Sequence, residues 1–188
     1  MIGQFVALGS NSLNGYERNK LYRRVGMSRG DGEGGIPLVA DVAYFAGADR
    51  LEDGRGAAVF DIEGDGDLDI VVQNFERPAV LLVNQGDPVG NWLQVRLRGT
   101  TSNRDAIGAR IEVEADGKKQ VRELCSTAGY LAGQPLLAHF GLAGADEVDR
   151  ITVHWPAGGK TEIEGIAANR RIEIEEPRMV GMRPEEAR

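Results

Sequence analysis

The sequence predicts an all-β protein, and three observations carry that expectation. Glycine is abundant, with 26 in 188 residues, while aromatic residues make up only 6%. Val, Ile and Leu recur in short runs separated by Gly, Asp and Asn, the composition of short strands joined by turns. From Trp92 onward, apolar and polar residues alternate in seven successive segments, the period-2 signature of a strand with one buried face.

Taken in order, the first strong element is a pair of apolar runs around an acidic loop. Ala57-Ala58-Val59-Phe60 precedes it and Leu68-Ile70-Val71-Val72 follows, and both read as strands. Between them lies Asp61-Ile62-Glu63-Gly64-Asp65-Gly66-Asp67-Leu68-Asp69, in which five of nine residues are carboxylates. Like charges at this density repel unless neutralised. Acidic side chains at every second position, with glycines between them to let the backbone wrap, suit a hard cation ringed by oxygen. The expected ligands are Asp61, Glu63, Asp65, Asp67 and Asp69, and the expected ion is Ca2+. An EF-hand would need a glutamate at its twelfth loop position, counting Asp61 as the first; Val72 stands there and the flanks are β-rich, which excludes it. The competing reading is an empty, solvated acidic turn, since Asp-Gly steps are common in turns. Glu63 departs from the pattern, being longer than the Asp or Asn that fits such a position.

A weak internal repeat surrounds this loop. Tyr16-Glu17-Arg18-Asn19, then Leu21-Tyr22 and Gly26, parallels Phe75-Glu76-Arg77-Pro78, then Leu81-Leu82 and Gly86. Phe5 to Asn11 likewise resembles Asp69 to Asn74. Two strands and a turn per copy suggest propeller-type blades, but about one unit and the tail of another cannot close a propeller. Ser28 to Gly35 lacks the Gly-Lys-Ser/Thr ending of a phosphate loop and reads as a connector; Asp31 and Glu33 within it are a weaker candidate for a degenerate metal turn.

The seven later segments are Trp92 to Arg98, Ile107 to Ala115, Val121 to Leu124, Leu136 to Leu142, Val148 to Trp155, Thr161 to Ile163 and Arg171 to Ile174. Asp116-Gly117 is a strong hairpin signal. Seven strands of this kind predict a β-sandwich or open barrel. The expected organisation is a partial repeat region over 1–88, a β-domain over 89–176 and a tail over 177–188 that mixes charge, Pro and Met without periodicity.

Several function classes are excluded or disfavoured. A net charge of −7 argues against nonspecific nucleic-acid binding. No apolar run approaches the ~20 residues of a membrane span. Met1 to Gly9 lacks the basic start and long apolar core of a signal peptide. Cys125 is the single cysteine, so it has no partner for an internal disulfide; its neighbours Leu124 and Ser126 supply nothing to lower its pKa, and a buried thiol is expected. His139 and His154 lie in apolar strand patterns and read as packed residues. Ser126, Asp149 and a histidine could be assembled into a triad on paper, but no nucleophile elbow surrounds Ser126. Asn103-Arg104-Asp105 reads as an internally satisfied turn with an Arg104–Asp105 ion pair, against the alternative of a ligand-contacting loop. Trp92 and Trp155 are expected in the core rather than as sugar platforms.

Asp61 to Asp69 resembles the calcium loop of FG-GAP (VCBS-type) repeats. The segment from Asn91 to Ile174 resembles an ASPIC/UnbV domain, on Asn91-Trp92-Leu93, Gly99-Thr100, Ser102 to Arg110, Gly129-Tyr130-Leu131, His139 to Leu142, Val153 to Pro156 with Gly158, and Ala168-Asn169-Arg170. The pair of modules is similar to the cartilage-acidic-protein-like family of secreted proteins. That resemblance implies calcium, a periplasmic or extracellular location, and a binding role without catalysis. The chain is much shorter than a protein carrying a full propeller. The function expected is therefore that of a non-enzymatic, calcium-stabilised accessory subunit that associates with protein partners, within a larger extracytoplasmic or membrane-anchored assembly. The alternative is a carbohydrate-binding module with a glycan on Trp155 or Tyr130.

Overall fold

The computed structural model describes residues 18–27, 36–86, 90–127, 129–130 and 132–178. They form twelve strands and no helix, so the all-β expectation holds. Described residues within Pro88–Ser126 and Pro135–Arg188 belong to one compact unit, and those within Ile2–Asp87 and Thr127–Gln134 to another.

The first of these units holds seven strands, β6 (Asn91–Arg98), β7 (Arg110–Ala115), β8 (Lys118–Glu123), β9 (Ala138–Ala143), β10 (Glu147–His154), β11 (Lys160–Ala167) and β12 (Arg170–Glu175). Each overlaps one of the seven alternating segments. They make two sheets, ordered β12-β6-β9 and β11-β10-β7-β8, neither closed into a barrel. All pairings are antiparallel except β12 with β6. Period-2 alternation sends Leu93, Val95 and Leu97 of β6 to the same side, and Ile111 and Val113 of β7, Phe140 and Leu142 of β9 and Ile151 and Val153 of β10 join them in one buried cluster. Two sheets sharing one core is a sandwich. Asp116-Gly117 turns β7 into β8 with both residues at positive φ, 49° and 67°, the backbone of a tight hairpin. Gly90, at φ 137°, brings its α-carbon against the Ala143 backbone; a β-carbon there would stand 2.4 Å from the Ala143 carbonyl oxygen.

The other unit contains a two-stranded ribbon, β1 (Tyr22–Met27) with β2 (Pro37–Asp41), and an antiparallel meander, β3 (Gly54–Phe60), β4 (Asp69–Asn74) and β5 (Val80–Leu82). Its buried cluster is small: Leu21, Ala43 and Ala48, with Val42, Ile70 and Leu82 packed against them. The strands expected around the acidic loop are β3 and β4. The ribbon carries no sequence signal of its own, because neither of its faces is a continuous buried stripe. The first copy of the repeat at Phe5 to Asn11, the connector Ser28 to Gly35 and most of the tail lie outside the described residues.

Candidate functional site

The acidic loop spans the end of the β3–β4 hairpin. Phe60 and Asp69 are paired across the two strands, so residues 61–68 form a closed excursion. The loop is built on its own carboxylates. Asp61 Oδ1 accepts hydrogen bonds from the N–H of Gly64 at 2.5 Å and of Asp65 at 3.2 Å, while its Oδ2 accepts from Gly66 at 3.0 Å. Asp65 Oδ1 accepts from Asp67 at 2.9 Å. Asp69 is buried, with Oδ2 accepting from Ile62 at 2.9 Å and Oδ1 from Asn84 at 2.8 Å, tying the loop to the chain that follows β5. Gly64 and Gly66 hold φ of 79° and 96°, which few residues other than glycine adopt without strain.

Electrostatically, Asp67 is the focus. Its carboxyl is pushed above the usual range by burial first, then by the charges of Asp65, Asp61 and Asp69. Three of the other expected ligands thus act on Asp67. Glu63, like Asp65, is exposed. Among the described residues no three acidic, His or Cys side chains already converge as a ligand set. The chemistry of the donors nonetheless fits a hard cation: an ionised carboxylate offers about four lone-pair sites, and the one N–H bond accepted by Asp65 and the two accepted by Asp69 do not exhaust them.

A second built site was invisible in the sequence. Glu176, just past β12, is buried. Its Oε2 accepts from the N–H of Thr100, Thr101 and Ser102 at 2.7–2.8 Å, and Oε1 from the Ser102 hydroxyl at 2.8 Å. Burial by itself would push this carboxyl up; the bonds from Ser102, Thr100 and Thr101 outweigh it and hold the carboxyl below its usual range. The Ser102 hydroxyl oxygen in turn accepts from Ala157 N–H at 3.0 Å. Next to this clamp, Asn103 satisfies its own turn, donating to the Ile107 carbonyl and accepting from the Ile107 N–H, both at 2.9 Å. Arg104 and Asp105 lie 3.8 Å apart, so the self-contained turn is the structure found.

Other expected positions divide. Trp155 is buried, its indole N–H donating to Thr161 Oγ1 at 2.8 Å, so it is core and cannot carry a sugar. Trp92 stacks on His139, ring centres 6.4 Å apart. Tyr130 is exposed. Two readings are corrected. Cys125 is exposed, not buried: Leu124 takes the inward position, and the next residue faces away. His154 is half-exposed on the outer, charged side of its sheet, 3.6 Å from Glu112, which also pairs with Arg110 and Lys119. Those partners, Lys119 first, hold the Glu112 carboxyl below its usual range.

Residues 99–180 match the ASPIC and UnbV family. Over 145 residues, 74% of the chain, the sequence is 32% identical to cartilage acidic protein 1 of Mus musculus and of Homo sapiens; over 109 residues, 56% of the chain, it is 34% identical to that of Xenopus tropicalis. The chain covers 21%, 21% and 16% of those three proteins, so it spans about a fifth of their length. The seven strands and the Ser102-to-Arg110 turn fall within the region that matches the ASPIC and UnbV family, or beside it.

Proposed function

We propose that the chain is a non-catalytic, calcium-stabilised β module that associates with another protein, as an accessory subunit of a larger extracytoplasmic or membrane-anchored assembly. The observation that carries the association is the β1–β2 ribbon. Val25, Ile36 and Val39 are 62%, 70% and 58% exposed, and Met27 and Leu38 are exposed beside them. A lone two-stranded ribbon is marginal in water, and apolar patches of this kind mark interaction surfaces. β3 and β5 are the outer strands of the meander, and open edges favour pairing with another chain.

Calcium is the second half of the reading. The β3–β4–β5 meander with its acidic loop is read as a partial FG-GAP/VCBS-type repeat. A cation bound by Asp61, Asp65, Asp67 and Asp69 would neutralise the repulsion that raises Asp67 and hold β3 and β4 in register, drawing the Asp65 and Asp67 carboxylates inward as it binds. Extracellular calcium modules work at ~10⁻⁴–10⁻³ M, which supports a location outside the cytoplasm. No helix long and apolar enough to cross a membrane occurs among the described residues, so membrane attachment would come from the assembly.

The association is tested by affinity purification from the native source with the wild-type chain and a Val25→Glu, Leu38→Glu variant of unchanged circular dichroism. The expected result is a stoichiometric partner retained by the wild type and lost by the variant. Identical retention by both removes the ribbon as the binding surface.

A further inference from the structure

Beyond the association surface and the acidic loop, a cavity of about 380 Å³ is lined by Arg18, Lys20, Asp41, Ala43, Tyr44 and Asp49. Its size falls within the range of small-molecule sites, and its wall is built rather than incidental. The turn after β2 is pinned by Ala43 N–H on Asp41 Oδ1 at 3.0 Å, Ala46 N–H on the Val42 carbonyl at 2.9 Å and Ala48 N–H on the Ala43 carbonyl at 2.8 Å. Ala43 and Ala48 are buried with Leu21, which fixes the turn from below. From this fixed base Tyr44 and Phe45 project outward, 77% and 88% exposed, their rings edge to face at 5.6 Å.

The charges of the cavity are already matched. Lys20 Nζ lies 2.8 Å from Asp41 Oδ2 and Arg18 Nη1 2.8 Å from Asp49 Oδ2. Hydrogen bonding to Asp41 raises Lys20, and bonding from Lys20 lowers Asp41, so this pair is ionised near neutral pH. A charged ligand would have to break one of them. A neutral ligand rich in hydroxyls would not: Lys20 carries three N–H donors and Arg18 five, and among the described residues Lys20 makes one hydrogen bond and Arg18 two, both from Nη1. Hydroxyls can accept from the spare donors and donate to the carboxylates. The Tyr44 ring offers an apolar face for the C–H side of a pyranose.

We propose that this cavity binds a neutral saccharide, with Tyr44 as the stacking platform and the Lys20–Asp41 and Arg18–Asp49 pairs as the hydroxyl-binding groups. It is a different place from Trp155, which is core, and from Tyr130. The acidic loop contributes nothing to its wall, so failure of the calcium reading leaves it standing, and the reverse.

Saturation-transfer NMR on the full chain tests it, with cellotriose, maltotriose and tri-N-acetylchitotriose at millimolar concentration and sialyllactose as the charged comparison. The expected result is transfer to ring C–H protons of a neutral probe. Tyr44→Ala should weaken it roughly tenfold, the size of one lost stacking contact. Tyr44→Phe should retain it, and Lys20→Gln should weaken it with an unchanged circular dichroism spectrum. Transfer to none of the neutral probes, binding restricted to sialyllactose, or a Tyr44→Ala variant that binds as the wild type does would each overturn it.

Discussion

The Glu176 carboxylate takes three backbone N–H bonds and a hydroxyl from Thr100, Thr101 and Ser102, closing the end of β12 onto the turn that follows β6. Its carboxyl is held below the ordinary 4.5. The unfolded chain therefore takes up this proton more readily than the folded one. The stabilisation is complete above that ordinary value and is lost as pH falls through the lower folded one. Glu176→Gln should cost about 1.5–3 kcal/mol near neutral pH, as for hydrogen bonds to a charged group, with a flatter acid limb in the urea-unfolding midpoint than the wild type. Nothing in the sequence marks this residue, because the partners lie some seventy-five positions away. Cys125 departs from the burial expected of it: it lies past the end of β8, at the start of an exposed stretch that follows the buried Leu124. The acidic candidates are legible at once, since five carboxylates in nine residues repel one another unless neutralised.

At the scale of elements, alternation is legible in β6, β7, β9, β10, β11 and β12 because each places residues in or against a shared core, whereas β8 places none there. Asp116-Gly117 announces its hairpin through residues that tolerate positive φ. The β1–β2 ribbon has no such signal: its apolar residues are exposed on a two-stranded element, so no period separates an inner from an outer face. The turn from Gly99 to Ala109 shows how a short motif becomes an element. Gly99 N–H donates to the Arg104 carbonyl at 2.9 Å, and a β-carbon at Gly99 would stand 2.1 Å from the Asn103 carbonyl oxygen. Gly99→Ala should cost about 1–3 kcal/mol, the usual range for a forced backbone shift in a packed site. Gly144→Ala, where a β-carbon meets nothing within 4 Å, is the matched control and should leave the urea midpoint nearly unchanged.

On the scale of the molecule, the two units differ in how they are held. Among the described residues, the one with the ASPIC and UnbV match has a core of eighteen buried apolar residues and the other a cluster of three. A unit with so little buried apolar surface needs another source of stability, and the acidic loop supplies a place for one. Without a cation, the raised Asp67 carboxyl means that its ionised form opposes folding, and this penalty grows as pH rises through the unfolded value toward the folded one. A bound ion reverses that sign. The most direct measurement is the melting temperature of the wild type, Asp65→Ala and Asp67→Asn in millimolar calcium and in chelator, with calorimetric titration of calcium. Calcium should raise the wild-type melt, the gain reaching roughly 2.7 kcal/mol at ~100 Kd. Neither variant should respond, and Asp67→Asn should melt above the wild type in chelator. Equal wild-type melting in calcium and chelator, together with no heat of calcium binding, would contradict a calcium-stabilised module.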